Sequence, residues 1–112
     1  MTQEQPLKVR RGEDFTLSGV VTDQAGATVN ITSGTITMTV KNNLTDADSA
    51  KVFQKTGTGL GSAGQFTVTI EDADTISLDL RSRYYDIELT LSGLKSTVTF
   101  GKFILLPEVT KA

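Results

Sequence analysis

Apolar and polar residues alternate along several short stretches of the chain. The clearest stretch is residues 35–40, where Ile36, Met38 and Val40 alternate with threonines. Further stretches with the same period are residues 15–21, 66–70, 85–91 and 97–100. A period of two places one set of side chains on a core and the other in solvent, as in an antiparallel sheet with one buried face. The pattern therefore predicts β-strands whose apolar residues share one core.

Turn-forming segments separate these stretches at residues 23–26, 32–34, 57–64 and 92–95. Short strands with turn signals every ~8–12 residues are typical of a β-sandwich. Threonine, which is favoured in strands, supplies 18 of the 112 residues. We therefore predict an all-β fold, an immunoglobulin-like antiparallel β-sandwich of seven strands. The expected strands are residues 6–10, 14–22, 34–42, 50–55, 65–70, 83–92 and 96–106.

Local signals refine this prediction. The acidic segment 71–77 predicts one short helical turn in the crossover between strands, because carboxylates at a helix start interact favourably with the helix dipole. Residues 44–55 are interpreted as a loop followed by a strand, although a helix is the alternative. The apolar phase slips by one residue at Gly101–Lys102, which predicts a β-bulge there. The expected domain spans residues 6–106, between a flexible N-terminus (1–5) and a flexible C-terminal tail (107–112).

Histidine and cysteine are both absent from the chain. Serine and cysteine nucleophiles normally use an imidazole base, and transition-metal sites depend on Cys and His ligands. We therefore expect no enzyme activity, no catalytic residues, no cofactor and no metal. A carboxylate enzyme using the acids between Glu71 and Asp79 is a distant alternative.

Charge and hydropathy limit the partners. The net charge is −2, whereas a nucleic-acid-binding domain normally carries a basic excess, so no nucleic acid is expected. The longest apolar run is Phe103–Leu106, far short of the ~20 residues that cross a bilayer, so no membrane partner is expected. Residues 1–6 lack the basic and apolar pattern of a secretory signal.

Two segments resemble known site motifs. Residues 59–64 match G-x-G-x-x-G, but a strand pattern follows where a dinucleotide site needs a helix. We interpret this segment as a flexible hairpin loop, with Gly59 and Gly61 as candidate partner contacts at its tip. The acids of residues 71–79 are either a calcium site or a solvated, capped turn, and we favour the turn.

The remaining candidate contacts are aromatic and basic. Tyr85 is in phase with the apolar residues of its strand, so we expect a structural tyrosine whose hydroxyl bonds the backbone of the preceding crossover. Tyr84 then faces outward as a candidate contact residue. Arg10, Arg11 and Arg83 are further candidate contacts, although charges at sheet edges also serve simply to keep a sheet soluble.

Several of these segments resemble small immunoglobulin-like domains of tailed-bacteriophage particles, including the N-terminal modules of baseplate upper proteins. The resemblance is carried by residues 9–17, 21–31, 74–78, 84–89 and 101–103. It implies a virion protein of the tail, baseplate, neck or capsid surface, assembled in the cytoplasm of the host bacterium. Its expected partners are other virion structural proteins, with a homo-oligomer as a further expectation.

The length of the sequence and the composition of one loop indicate which role to expect within the particle and which alternative function to consider. No receptor-binding or trimerisation region follows Leu106 in this sequence, which favours an accessory, adaptor or decoration role over host recognition. The alternative function is a carbohydrate- or cell-surface-binding module, with residues 57–64 and Tyr84 at the contact.

Overall fold

The computed structural model describes residues 3–43 and 45–107. Its strands are β1 (Gln3–Glu4), β2 (Leu7–Arg10), β3 (Phe15–Val20), β4 (Thr35–Lys41), β5 (Phe53–Thr56), β6 (Gln65–Ile70), β7 (Ser82–Leu91) and β8 (Leu94–Leu106). A 3-10 turn spans Asp48–Ala50, and a single-turn helix, α1, spans Asp72–Thr75. The prediction of an all-β fold with one helical turn is confirmed, and each of the seven predicted strands is present with slightly shifted ends.

The strands form two sheets. The larger sheet has the order β1-β8-β7-β4-β5, with β2 also pairing with β8, and the smaller sheet contains β3 and β6. After β5 the chain crosses between the sheets, where Thr58 and Thr67 exchange main-chain hydrogen bonds of 2.8 and 2.9 Å. The larger sheet therefore curls toward the smaller one.

The sheet is mixed, because β1 and β2 run parallel to β8 while the other pairs are antiparallel. The prediction of a purely antiparallel fold is therefore wrong for these two strands. Alternation reports which face of a strand is buried, and it carries no information on the direction of the neighbouring strand.

The core lies between the two sheets. Ile36, Met38 and Val40 on β4 are fully buried, as predicted, and they pack opposite Val68 and Ile70 of β6 within one apolar cluster. Burying each such side chain stabilises the fold by about 1.5–3 kcal/mol. The other buried members are Leu7, Val9, Val21, Ile31, Phe66, Tyr85, Ile87, Leu89, Phe103 and Leu105.

A β-bulge interrupts the pairing of β7 with β8. Ile87 pairs with Thr99, whereas the next residue, Glu88, pairs with Thr97, so Val98 is the extra residue. The predicted bulge at residues 101–102 is therefore misplaced, since the register is continuous there.

The outward position of Phe100 explains why the sequence predicted the bulge at the wrong residues. In register it shares the outer face of the larger sheet, whereas Gly101 lies on the core face, opposite the buried Tyr85. A side chain at position 101 would collide with the main chain of Gln5, so the core position is a glycine. The sequence prediction placed the aromatic residue inward, because alternating aromatic residues usually face a core.

The N-terminal segment belongs to the larger sheet. Gln3 and Glu4 pair with β8, and the amide of Gln5 donates to the carbonyl of Phe100 at 2.8 Å. Residues 3–5, which the sequence analysis assigned to a flexible N-terminus, thus pair with β8, and the sequence did not indicate this pairing because a two-residue strand is too short to show alternation. Residues 1, 2, 44 and 108–112, which include most of the predicted tail, lie outside the described residues.

Candidate functional site

A groove of 360 Å³ crosses the outer face of the larger sheet. This volume lies at the lower end of the ~300–1,000 Å³ typical of small-molecule sites. We call it the outer groove. Its lining residues are Thr39 and Lys41 on β4, Tyr84, Tyr85 and Asp86 on β7, and Thr97 and Phe100 on β8.

Strand register brings the groove residues together. Asp86 pairs directly with Thr39 on one side and with Phe100 on the other. Tyr84 lies two residues before Asp86 on the same face and pairs with Lys41. Directly paired residues have Cβ atoms about 4.5–5.5 Å apart. One small ligand can therefore contact a carboxylate, a hydroxyl, an ammonium group and two aromatic rings.

Alternation and the bulge together create this arrangement. Along β7, Tyr85 and Ile87 are buried, whereas Tyr84 and Asp86 are only partly covered and face outward. The bulge at Val98 sets the phase of the rest of β8, and bulges commonly re-aim side chains beside binding sites. The outward position of Tyr84 agrees with its prediction, whereas the groove's other members were missed because their grouping depends on register.

Of the two adjacent tyrosines, Tyr84 and Tyr85, it is Tyr85 that has a structural role. It is 4% exposed, and its hydroxyl donates to the carbonyl of Gln5 at 2.6 Å. The expected bond to the preceding crossover is thus replaced by a bond to the N-terminal segment. Burial raises the pKa of Tyr85, and a side-chain hydrogen bond with Thr99 partly opposes that rise.

A second concave site follows the unpaired edge of β3. Within the described residues β3 pairs only with β6, and a cleft of 130 Å³ lies between its other edge and the N-terminal strands. We call this cleft and the adjoining edge of β3 the β3 edge. Its lining residues are Gln5, Leu7, Leu17, Ser18, Gly19, Val20, Thr22, Phe66, Tyr85, Ile87, Val98 and Thr99.

The sequence of β3 leaves this edge unprotected. Edge strands usually carry charged residues or proline, which discourage pairing with other chains. β2 has Lys8 and Arg10, and β5 has Lys55, whereas Phe15–Val20 contains neither a charge nor a proline. Val20 is 54% exposed. The β3 edge therefore has the properties of a strand-pairing surface.

The two candidate glycines lie near β3 and are held differently. Gly59 adopts a φ of +66° and lines a depression of 290 Å³ formed with residues of β3 and β6, including Val20. The amide of Gly61 donates to Gln65 at 3.0 Å, and its carbonyl accepts from Ile31 at 3.2 Å. The predicted flexible loop is thus hydrogen-bonded to the body of the domain.

Arg10 and Arg11 lie at the end of β2, and neither lines the outer groove. Arg10 is exposed and donates to the carbonyl of Pro107 at 3.0 Å. Arg11 is half-buried and donates to the carbonyl of Leu78 at 3.0 Å. Both bonds tie chain segments together, and a partner contact by these residues stays a prediction.

Arg83 is not a surface residue. Its side chain is 3% exposed, and its guanidinium donates to Asn42 Oδ1 at 3.1 Å and to the carbonyl of Asp79 at 3.0 Å. It also forms an ion pair with the Asp79 carboxylate, which is 71% exposed. The prediction of Arg83 as a partner contact is therefore corrected, because its position on β7 has the phase of the core.

The acidic segment forms a capped turn. The amide of Glu71 donates to Asp74 Oδ2 at 2.8 Å, and Lys55 Nζ contacts the Asp74 and Glu71 carboxylates at 3.1 and 3.2 Å. The hydrogen bond that Lys55 donates to the Asp74 carboxylate is the main cause of the raised pKa of Lys55. Within residues 3–43 and 45–107, no three acidic groups are placed to hold a metal ion.

Two comparisons with known proteins found no match. No protein-family model matches the chain, and no curated protein matches it significantly. Across the described part of the chain, no helix has the length and apolar character needed to span a membrane.

Proposed function

We propose that the protein is a non-catalytic, immunoglobulin-like structural module of a bacteriophage particle, which binds another virion protein by strand addition at the β3 edge. The main observation in support of this proposal is the uncharged, unpaired edge of β3 beside an open cleft. An added strand would continue the smaller sheet and cover the apolar side chains that line the cleft.

Strand order supports the immunoglobulin-like assignment. In such sandwiches strands A, B, E and D form one sheet, and strands C, F and G form the other. Here β3 and β6 correspond in chain order to B and E, and β4, β7 and β8 correspond to C, F and G. Strand A normally flanks B, but β1 and β2 both pair with β8. Among the described residues, no strand takes the A position beside β3.

The chemistry of the edge defines the expected occupant. Exposed acids lie near both ends of β3, namely Glu13 and Asp14 before it and Asp23 after it. The cleft volume of 130 Å³ approaches the ~150 Å³ of an apolar cavity that holds one benzene. We therefore expect an extended segment with alternating aliphatic residues, one of which fills the cleft, and with basic residues at its ends.

Charge favours a different protein over a second copy. Antiparallel pairing of two β3 edges would bring Asp14 of one copy toward the end of β3 that precedes Asp23 in the other, and like charges disfavour such pairing. The virion setting is supported by the resemblance of residues 9–17 and 84–89, which form parts of β2, β3 and β7.

The test is binding to the structural proteins of the particle that carries this protein. Each candidate is mixed with the purified chain, and the complex is detected by native mass spectrometry and quantified by calorimetry. We expect a defined complex with one of them, weakened at least tenfold by Val20→Lys. Val20 is 54% exposed, so this substitution should change stability by less than about 0.5 kcal/mol.

The matched control is Thr35→Lys, which adds the same charge at an exposed position of β4 in the other sheet. It should leave the affinity unchanged. A complex that is insensitive to Val20→Lys, or no complex with any structural protein, contradicts the proposal. A homodimer that is broken by Val20→Lys would keep the edge but replace the partner.

A further inference from the structure

We infer that the outer groove is a carbohydrate site that takes one sugar ring of a neutral glycan. This activity goes beyond the docking role proposed above. The groove lies on the outer face of β4, β7 and β8, whereas the docking edge follows β3 in the other sheet; Tyr85 lines both the groove and the cleft beside that edge. The two sites can therefore be tested separately.

Two aromatic rings supply the apolar contacts that a sugar ring needs. Phe100 pairs with Asp86, and Tyr84 lies two residues from Asp86 on the same face. The two residues are thus diagonal neighbours across β7 and β8, with backbone positions separated by roughly 7–8 Å. Both residues are partly exposed and line the groove, so they supply apolar surface for the C–H groups of a pyranose, while the Tyr84 hydroxyl adds a polar group.

The polar groups of the groove match sugar hydroxyls. Asp86 offers a carboxylate acceptor, and Lys41 offers an ammonium donor one row away on β4. Hydrogen bonds that involve a charged group are about twice as strong as neutral ones. Adjacent hydroxyls of a pyranose each donate and accept, so a carboxylate and an ammonium group bind them together.

The polar groups are also held in place. Lys41 Nζ donates to the carbonyl of Asp46 at 3.0 Å. Thr39 is only 7% exposed, and its hydroxyl accepts from Gln54 at 3.0 Å. Fixed polar groups lose less conformational entropy when a ligand binds. Lys41 and Thr39 are therefore held in place before the sugar arrives.

Other ligand classes fit the groove less well. An anion would meet Asp86 and, two residues along the same face, Glu88. A cation would meet Lys41, and an apolar ligand would remove water from both charged groups without offering them a hydrogen bond. A neutral polyhydroxyl ligand is the class that uses the carboxylate, the ammonium group and the rings at once.

The direct test uses the wild-type protein and methyl glycosides of glucose, galactose, mannose and N-acetylglucosamine. Amide chemical shifts are followed by NMR during titration of each sugar. For a single ring of this size we expect saturable binding with a Kd of about 1 mM. The shifts should be confined to Thr39, Tyr84, Asp86 and Phe100 and their neighbours. An array identifies further glycans for the same titration. If none of the glycosides and no glycan found on the array gives saturable shifts at these residues, the inference is overturned.

Variants locate the site chemically. Asp86→Asn and Tyr84→Ala should each weaken binding at least tenfold, whereas Tyr84→Phe should retain most of the affinity because the ring remains. Thr35→Ala, on the same face but outside the groove, is the control. Equal sugar affinity in Asp86→Asn and in the wild type would refute the assignment.

A protein ligand is the competing outcome. If the structural proteins of the particle shift the groove amides and the sugars do not, the groove is a protein-binding surface and the inference fails. Val20→Lys should leave sugar binding unchanged, so a failure of the docking proposal and a failure of this inference are distinguishable.

Discussion

Replacing Arg83 by methionine tests whether this residue stabilises the fold or binds a partner. The substitution keeps an unbranched apolar stem but removes the guanidinium. It therefore removes the bonds to Asn42 at 3.1 Å and to the carbonyl of Asp79 at 3.0 Å, together with the ion pair to Asp79.

The expected loss in the free energy of unfolding follows from how deeply Arg83 and Asp79 are buried. Arg83 is 3% exposed, so its hydrogen bonds to Asn42 and to the Asp79 carbonyl are desolvated and are worth about 1.5 kcal/mol each, while the long bond of 3.5 Å to the Arg81 carbonyl adds little. The Asp79 carboxylate is 71% exposed and regains water, so the ion pair adds less than about 1 kcal/mol. We expect a loss of about 3 kcal/mol in the free energy of unfolding, which is a fall in Tm of roughly 10 °C.

Urea denaturation at pH 7 measures this loss. Arg81→Met, at an exposed arginine two residues earlier, is the matched control and should change stability by less than about 0.5 kcal/mol. Should Arg83→Met unfold at the same urea concentration as the wild type, the stabilising role would be refuted.

Three further substitutions test contacts elsewhere. Tyr85→Phe removes the 2.6 Å hydrogen bond to Gln5 and should cost about 1 kcal/mol in urea denaturation. Burial raises the pKa of Tyr85, so its contribution to stability is complete below about pH 10 and is lost as pH rises through the folded-state pKa. Tyr85→Phe should therefore lose less stability between neutral and strongly alkaline pH than the wild type does, and equal losses would exclude this role. Lys55→Met should abolish the part of the alkaline loss that arises from the raised pKa of Lys55, as measured by the same denaturation series. Gly101→Ala should displace Gln5 and lower the free energy of unfolding by about 1–3 kcal/mol, with loss of the β1 signals in the NMR spectrum. Lys102→Ala is the control. An unperturbed β1 in Gly101→Ala would show that the close approach of Gln5 does not require a glycine at this position.

Much of the fold could be predicted because alternation reports burial directly. Ile36, Met38 and Val40 were assigned to the core from their spacing alone, and each is fully buried. Strand direction and pairing could not be obtained in the same way. The parallel approach of β2 to β8 depends on contacts between the two ends of the chain, and no local pattern records them.

The candidate sites were predictable only in part. Tyr84 could be assigned to the surface because its neighbour Tyr85 has the phase of the core, and this separates the two tyrosines. Arg83 has the same phase as Tyr85, but its charge suggested a surface position. Charged residues are rarely buried unless they are paired, and the pairing with Asp79 could be seen only after the crossover was placed. The outward position of Phe100 could be predicted only by someone who knew that the bulge lies at Val98.

Strand β7 connects the two concave sites. Tyr84 and Asp86 face the outer groove, whereas Tyr85 and Ile87 line the cleft of the β3 edge. Consecutive residues of one strand therefore serve opposite faces, so one ligand can occupy each face without a steric conflict. If both proposals hold, one sheet fixes the protein to a particle and the other presents the sugar-binding groove.

This arrangement makes a quantitative prediction about coupling. Sites that share no partner usually act independently to within about 0.5 kcal/mol, so a bound strand at β3 should change the sugar Kd by less than about twofold. Tyr85 is the exception that could couple them, because it borders both sites. Sugar titrations of the complex and of the free chain decide the matter. If the Kd differs by tenfold and Tyr85→Phe removes the difference, the two faces are coupled through this residue and the independence argued from alternation is wrong.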